Sequence, residues 1–340
     1  MRFSGSSWYA EAMPLLSKME ELPAALVETA IEAMTGSHLD EEEAAAFLVA
    51  LAKKGESADD IGTAVTVLRR RMVKISRSHP TILDTCGTGG DGSGTFNIST
   101  AVALVVAAAG CAVVKHGNRS FSSRSGSADV LKELGVPIEK GPSWAQSCLD
   151  RLGFAFCFAP QFHPALAAIG PLRKKLGIRT IFNLVGPLLN PAAADYQLLG
   201  VGRVELLDPL AGAVKLLGIR QAFLVCGNDG FDEVSLCSPT QVRHVREERI
   251  VSLQWTAAHF GLPLCHLEEL KAEGPEESAR IVLGVLEGHG GPPEKIVLAN
   301  AAAALLAAER VASLPEGVDA AAEAIRSGAA LHLLEQLRIS

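Results

Sequence analysis

The sequence predicts an α/β protein: a small all-helical domain followed by a large α/β domain with a mostly parallel central sheet. Three observations predict it. The first quarter of the chain has helical periodicity and no strand-like run, a strand–loop–helix–strand pattern begins at Thr81, and short apolar runs then alternate with helical segments. We place the domains at 1–78 and 79–340, and expect the segment 166–190 to cross back to the helical domain.

The N-terminal domain is predicted from three periodic segments. Segment 23–34 is periodic and stops before Gly36. Segment 41–54 begins with acidic residues and ends with lysines, which suits the helix dipole at both ends. A third helix opens at Ser57, whose spacing to Asp60 is typical of a capping box. These signals indicate a bundle of short helices.

The α/β domain is predicted to begin near Thr81, where strand-like and glycine-rich segments replace the helical pattern. The run TILDTC is a short strand, a glycine-rich loop follows, segment 99–109 is a helix, and CAVVK is a second strand. Such a βαβ unit belongs in a parallel sheet with helices on its faces. Later strands are expected at 154–158, 197–201, 221–226 and 295–298.

Composition narrows the class of function. With 48% hydrophobic residues, the 340-residue chain can bury a sizeable core, and its net charge of -7 argues against broad affinity for nucleic acid or anionic membranes. The start lacks the apolar run of a signal peptide, and the seven cysteines include no C-x-x-C, which favours reduced thiols. We therefore expect a cytosolic (cytoplasmic) protein with no nucleic-acid or membrane partner.

The loop GTGGDGSGTFN is the strongest functional signal. It holds five glycines between a strand and a helix that begins at residues 97–100. Glycines allow positive φ and close backbone approach, so several N–H groups can converge on phosphate oxygens beside the positive end of a helix. An ordinary flexible turn is the alternative, but five glycines at this position favour a phosphate-binding loop.

The two commonest phosphate loops do not fit. Gly87, Gly89 and Gly92 match G-x-G-x-x-G, yet the next strand ends in Lys115 and His116, where a dinucleotide fold needs an acid for the ribose. The loop also lacks the G-K-[ST] of a P-loop. It therefore belongs to a different class of phosphate site.

A basic, serine-rich segment follows the second strand. KHGNRSFSSRSGSAD contains Lys115, Arg119 and Arg124, together with several serines. This mixture of cations and hydroxyls suits an anion with many oxygens. A solvated basic loop is the alternative, but its position beside the glycine loop favours a ligand.

Two adjacent carboxylates follow a later strand. Asp232 and Glu233 come after QAFLVC and the turn GNDG. Mg²⁺ is usually shared between one or two carboxylates and substrate phosphates. An isolated Asp-Glu pair is more often a solvent-exposed pair without a ligand, so the magnesium hypothesis depends on the nearby phosphate loops.

Taken together, these segments resemble a known enzyme family. GTGGD, NIST, KHGNRSFSSRSGSAD, FHPAL, PLRKKLGIRTIFNLVGPLLNP and GNDGFDEVS occur in the order and approximate spacing of the anthranilate phosphoribosyltransferases. The resemblance extends from about residue 10 to the C-terminus. It implies a nucleoside phosphorylase/phosphoribosyltransferase-like fold, a homodimer, and transfer of phosphoribose from phosphoribosyl pyrophosphate to the amine of anthranilate with Mg²⁺.

The resemblance also implies roles for individual residues. Asn118 and Arg173 match contacts to anthranilate, Gly87 lies between the two substrates, and Ser99, Asp232 and Glu233 match the residues that hold two metal ions. The residues that match contacts to phosphoribosyl pyrophosphate are Gly87, Gly90, Asp91, Thr95, Asn97, Ile98, Ser99, Thr100, Lys115, His116, Gly117, Asn118, Arg119, Ser120, Phe121, Ser122, Ser123 and Ser127.

No residue is assigned as a catalytic acid or base. An aromatic amine needs little help to attack an oxocarbenium-like carbon, and structural histidines are as common as catalytic ones, so His116 and His163 stay unassigned. Two other functions remain as alternatives. The first is a pyrimidine-nucleoside phosphorylase of similar architecture, but the NIST segment and the Asp232–Glu233 pair suit a metal-bound pyrophosphate better. The second is a catalytically silent relative that binds nucleic acid, which would have a basic surface and eroded glycine or acid motifs; the sequence has neither.

Overall fold

The computed structural model describes residues 7–36, 39–119 and 125–340. The helices are α1 Ser7–Ser17, α2 Ala24–Met34, α3 Glu41–Lys54, α4 Ala58–Arg70, α5 Ile98–Ala108, α6 Ser127–Glu133, α7 Pro142–Leu152, α8 Ala159–Phe162, α9 Gly170–Leu176, α10 Ile181–Val185, α11 Leu207–Leu216, α12 Pro275–Leu286, α13 Gly291–Ala307, α14 Leu314–Arg326 and α15 Ala329–Arg338. The strands are β1 Leu83–Gly87, β2 Val113–Gly117, β3 Phe154–Phe158, β4 Tyr196–Gly200, β5 Gln221–Gly227, β6 Thr240–Arg246 and β7 Arg249–Trp255.

The N-terminal helices begin where their capping residues predict. The Asp40 carboxylate accepts hydrogen bonds from the amides of Glu42 and Glu43 at the start of α3. At the start of α4, Ser57 and Asp60 form a reciprocal capping box, with N–O distances of 3.0 and 3.2 Å. Both arrangements satisfy amide groups that a helix leaves without intrahelical partners. The helices predicted in this part of the sequence are therefore confirmed.

The seven strands form one sheet in the order β3-β2-β1-β4-β5-β6-β7. Strands β1 to β5 are parallel to their neighbours, whereas β6 and β7 add an antiparallel hairpin at one edge. The prediction of an α/β fold with a mostly parallel sheet is confirmed. Chain order reverses at β1, which lies between β2 and β4, and ligands of open α/β sheets bind outside the carboxyl ends of strands at such a point.

Two hydrophobic clusters cover opposite faces of the sheet. Along β4, Tyr196 and Leu198 join the cluster that contains α5 and α13, whereas Leu199 joins the cluster that contains α1 to α4 and α11. This alternation follows from the two-residue period of a strand. The second cluster also takes in apolar residues from Ile169 to Leu189, so the segment between β3 and β4 packs with the N-terminal helices.

Two sequence interpretations of secondary structure were wrong. The strand expected at 295–298 is part of α13, a 17-residue helix. Because most of α13 is buried, it lacks the polar stripe that marks a helix, and a short apolar run inside it resembles a buried strand. The β6–β7 hairpin was missed, since six of the seven positions of β7 are exposed and the strand therefore has no alternating buried face. In the described ranges, no helix is both long and apolar enough to cross a bilayer.

Candidate active site

The glycine loop lies at the carboxyl end of β1, where chain order reverses. It is joined to the end of β4 by a hydrogen bond from the Thr88 amide to the Gly200 carbonyl, 2.8 Å long. Positive φ angles let the loop turn repeatedly and point amides outwards. They occur at Gly89 (64°), Gly90 (75°), Gly92 (72°) and Gly94 (68°).

Two other glycines allow the segment after β5 to approach this loop. A Cβ on Gly87 would lie 2.7 Å from the Oδ2 atom of Asp232, and a Cβ on Gly200 would lie 1.6 Å from the carbonyl oxygen of Asp232. The backbone of Asp232 leaves no room for a side chain at Gly200, and a Cβ at Gly87 would displace the Asp232 carboxylate. The Gly89 amide then donates a 2.9 Å hydrogen bond to Asp232 Oδ2, which joins the two loops directly.

Lys115 lies beneath the loops at the end of β2 and is 2% exposed. Its ammonium donates hydrogen bonds to the Thr85 carbonyl at 2.6 Å and to Ser99 Oγ at 3.1 Å. Burial lowers the pKa of Lys115, and the nearby Asp84 and Glu233 carboxylates oppose that effect. A buried cation thus connects β1, the first turn of α5 and the acidic segment.

Three carboxylates meet on the open side of this lysine. Burial, with the charge of Asp91 next in effect, raises the pKa of Asp232 to about 7. Burial and the charge of Asp232 raise the pKa of Glu233 well above its usual range, while Lys115 lowers it. The Oδ2 atom of Asp91 is buried and lacks a hydrogen-bond donor among the described residues. A divalent cation would offset the repulsion among these acids.

The donor set fits a divalent cation that is shared with a substrate. Within residues 7–36, 39–119 and 125–340, no three Asp, Glu, His or Cys side chains form a complete metal cage. Asp232, Glu233 and the Ser99 hydroxyl are hard oxygen donors, and Mg²⁺ binds in such sites through one or two carboxylates completed by phosphate oxygens and water. The crowded carboxylates and the unsatisfied Asp91 oxygen are therefore compatible with Mg²⁺.

The structure identifies two supporting residues that the sequence interpretation missed. Asp84 is fully buried, and its Oδ2 accepts a 2.8 Å hydrogen bond from Asn190. Asn300 on α13 accepts from the Val234 amide at 2.8 Å and donates to the Val234 carbonyl at 2.9 Å, next to Glu233. The available signal was a single charged residue in the strand-like run TILDTC for Asp84, and a single polar residue in the apolar run LANAAAA for Asn300.

Other predicted residues line the start of α5 and the end of β2. Thr95 pairs with Lys271, and Asn97 accepts a 2.6 Å hydrogen bond from Thr100. Ile98 is buried in the core, so only its backbone can face a ligand. The Ser127 hydroxyl would lie 2.1 Å from a Cβ on Gly117, which places the start of α6 against the end of β2. These residues therefore lie along the start of α5 and the end of β2, next to the glycine loop in the chain and in the sheet.

Asn118, Arg119 and Arg173 have contacts with residues other than Asp91, Asp232 and Glu233. Asn118 is exposed, and its side chain accepts from the Arg119 amide at 2.8 Å. The Arg119 guanidinium pairs with Glu139 and, at 3.7 Å, with Asp129. Arg173 lies on α9 with its guanidinium 5.8 Å from the centre of the Phe182 ring. The remaining predicted residues, Ser120, Phe121, Ser122 and Ser123, lie outside the described part of the chain.

His116, half-buried in β2, and the buried His163 form a ring pair. Their ring centres are 4.6 Å apart. Burial, followed by the neighbouring His163, lowers the pKa of His116 to about 3, and burial lowers the pKa of His163 to about 4. Both rings are therefore neutral near pH 7, which suits a packing or lining role.

Comparison with known proteins identifies the family. The glycosyl transferase family, a/b domain, matches residues 79–331. The anthranilate phosphoribosyltransferase of Symbiobacterium thermophilum is 45% identical over 319 residues, 94% of each chain. The chain belongs to the anthranilate phosphoribosyltransferase family. Another member, from Desulfitobacterium hafniense strain Y51, is 44% identical over 97% of this chain and 98% of its own.

Solved structures of anthranilate phosphoribosyltransferases have the same fold. The crystal structure of the Thermus thermophilus protein superposes with a TM-score of 0.90 at 40% identity, covering 96% of this chain and 98% of its own. A Saccharomyces cerevisiae structure in complex with PRPP and Mg has a TM-score of 0.86 at 30% identity, over 96% and 97% of the two chains. The family resemblance predicted from the sequence motifs is confirmed.

Proposed function

We propose that the chain transfers the phosphoribosyl group of 5-phosphoribosyl 1-pyrophosphate to the amine of anthranilate, in tryptophan biosynthesis. The observation that carries this proposal is the convergence of a glycine-rich amide loop, a buried lysine and three carboxylates at the reversal point of the sheet. Such a site suits a ligand that brings a diphosphate and a divalent cation. The relatives named above have this activity in their names.

The residues of the crevice favour departure of pyrophosphate. As the bond from the ribose C1 carbon to the pyrophosphate oxygen breaks, negative charge grows on the leaving group. Amides of the glycine loop and the Lys115 ammonium are fixed donors for that charge, and fixed donors need no reorganisation during the reaction. Mg²⁺ held by Ser99, Asp232 and Glu233 would supply further positive charge to the phosphate oxygens. The ribose and phosphate contacts predicted along 87–100 and 115–127 complete the donor site in this proposal.

The acceptor side of the proposal depends on Asn118 and Arg173. A guanidinium recognises a carboxylate through two parallel hydrogen bonds, which would orient the anthranilate amine towards the ribose. Replacement Arg173→Ala is therefore expected to raise the KM for anthranilate about tenfold or more, with a much smaller change in the KM for the sugar donor. Steady-state kinetics with each substrate varied in turn measures both. Equal losses for both substrates would remove Arg173 from the acceptor site.

The activity is tested directly with purified protein. Anthranilate is fluorescent, so its loss in the presence of phosphoribosyl pyrophosphate and Mg²⁺ follows the transfer, and chromatography identifies the phosphoribosylated product. Omitting the donor or the metal is the control. A parallel reaction with inorganic phosphate and a pyrimidine nucleoside tests the phosphorylase alternative. Product from the nucleoside but none from anthranilate would overturn the proposal.

The finer features belong to the same proposal. We expect two Mg²⁺ ions per subunit, a homodimer and a cytoplasmic location, because these accompany the family resemblance. Equilibrium ultracentrifugation of the 35.7 kDa chain measures the oligomeric state. Titration of Mg²⁺ in the presence of pyrophosphate gives the number of ions. A monomer at working concentrations, or a single ion, would correct these points without touching the reaction.

A further inference from the structure

Arg179 has an unused edge of hydrogen-bond donors. It lies between α9 and α10, immediately before Thr180. Its Nε and Nη2 atoms are buried and have no hydrogen-bond partner among the described residues. In Arg69, by contrast, the same two atoms donate to the Leu188 carbonyl at 3.0 and 2.8 Å. Nε and Nη2 point in the same direction and form the edge that binds carboxylate or phosphate through two bonds.

Charged residues of both the helical part and the acidic segment act on Arg179. The charges that act on it are Arg203, which repels, and then Glu56, Asp232 and Glu205, which attract. Asp232 is one of the proposed metal ligands, and Glu56 precedes α4 in the helical part of the chain. Within the described residues, none of these carboxylates forms an ion pair with Arg179. The guanidinium therefore lies within electrostatic range of both Glu56, before α4, and Asp232.

Leaving these donors unused is energetically unfavourable. A buried donor without a partner has lost its hydration without a compensating hydrogen bond, and the cost is greater when the donor is charged. Burial accordingly lowers the pKa of Arg179, which reflects the loss of hydration. A ligand with two adjacent anionic oxygens would satisfy both atoms at once. Both proposed substrates carry such a group, the donor on its phosphates and the acceptor on its carboxylate.

We propose that Arg179 is a second substrate-binding guanidinium, whose Nε–Nη2 edge takes a pair of anionic oxygens from a substrate bound in the crevice. This inference rests on the proposed function for the identity of the substrates, and on the buried edge for the binding itself. It is distinct from the role of Arg173, which lies on α9 against Phe182. The two sources of the oxygens, pyrophosphate and an aromatic carboxylate, are separated by the experiment below.

The test measures binding rather than turnover. Calorimetry on the full chain gives the affinities of magnesium pyrophosphate and of anthranilate for wild type, Arg179→Met and Arg179→Lys. One of the two ligands is expected to bind about ten- to a hundredfold more weakly to Arg179→Met, and that ligand is the source of the oxygens. Arg179→Lys keeps the charge but loses the two-pronged edge, so it should recover only part of the loss. Arg326→Met is the matched control, because Arg326 lies on α14, is 73% exposed and pairs with Glu323, so it should leave both affinities unchanged.

Three results would overturn the inference. Unchanged affinity for both ligands in Arg179→Met would show that the edge is not used. Wild-type affinity in Arg179→Lys would do the same even if the methionine variant failed to fold. Equal loss in Glu56→Gln would show that Arg179 acts by pairing with Glu56. A different result would overturn the proposed function alone. In that case the wild type would transfer nothing to anthranilate, yet would still bind pyrophosphate through Arg179.

Discussion

At the scale of single residues, the acidic segment is the part of the crevice with the strongest electrostatic repulsion. Asp232 and Glu233 are adjacent in the chain. After burial, the charge of Asp91 raises the pKa of Asp232, and the charges of Asp232 and Asp91 raise the pKa of Glu233. A divalent cation offsets that repulsion and thereby makes the site dependent on metal. These two carboxylates are consequently expected to control the response to Mg²⁺ rather than the fold.

The double replacement Asp232→Asn with Glu233→Gln tests this expectation. It keeps the size of both side chains and removes their charge, so turnover should fall about a hundredfold or more and Mg²⁺ should no longer raise it. Initial rates across a magnesium titration measure the effect. Glu205→Gln is the control, because Glu205 is 66% exposed and is not one of the proposed metal ligands. A wild-type magnesium response in the double variant would remove both residues from the metal site.

Asp84 shows how a buried carboxyl couples stability to pH. Burial raises its pKa from 3.8 to about 6, against opposing effects of Asn190 and Lys115. Because the folded protein holds the proton more tightly than the unfolded chain, this group favours folding below about pH 4, and that contribution is lost as pH rises through about 6. The shift corresponds to a change of up to about 3 kcal/mol in the free energy of unfolding.

Asp84→Asn removes that ionisation while it keeps the shape of the side chain. Between about pH 4 and pH 7 the wild type should therefore lose stability that the variant keeps, so the variant becomes more stable relative to the wild type as pH rises. Urea denaturation at several pH values measures it, with Asp150→Asn as an exposed control. A pH-independent difference would mean that Asp84 does not titrate in this range.

Residues with a distinct chemical pattern were predictable, and those with a purely spatial role were not. The glycines and Lys115 were found because a loop of five glycines next to a strand has few other uses. Asp91 was predicted as a phosphate contact, but its carboxylate faces Asp232, which lies 141 positions later and cannot be related to it from spacing. Arg179 was not singled out, since nothing in LGIRT distinguishes a buried guanidinium from an exposed one.

At the scale of elements, prediction succeeded where periodicity was strong. The capped helices α3 and α4 lie where the sequence indicates, because helical spacing and end signals agree there. The strand β3 was found as a short apolar run that begins directly after Gly153. The wrong strand within α13 and the missed β6–β7 hairpin share a physical cause. A helix that is mostly buried and an edge strand that is mostly exposed both lack the regular alternation of apolar and polar residues by which helices and strands are predicted.

The error at α13 matters because that helix supports the active-site segment. Asn300 is completely buried and holds Val234 by two hydrogen bonds, one to its amide and one to its carbonyl. Asn300→Leu leaves both backbone groups buried without partners, which should cost about 2 kcal/mol and displace Glu233. Chemical denaturation measures the stability, and a magnesium titration measures the displacement. Asn228→Ala, at an exposed position of the same turn, should change neither.

At the scale of the whole molecule, the helical part and the sheet share a core. The second hydrophobic cluster joins α1 to α4 with α11 and with one face of β4 and β5. We propose the division at 78/79 as an organisational boundary, with residues 166–190 crossing it. The two parts are then not expected to be independent folding units, because each buries its apolar surface on the other.

Removal of residues 1–78 tests this view of the molecule. The fragment 79–340 would expose the face of α11 that carries Leu210, Ala211 and Val214, all completely buried in the intact chain. Exposed apolar patches of this kind promote aggregation, so the fragment should be insoluble or should bind a hydrophobic dye strongly. Co-expression with residues 1–78 as a separate chain should restore solubility, since it covers the same face. A fragment that is monomeric and unfolds cooperatively without the helical part would show that the sheet and its remaining helices form a self-sufficient core.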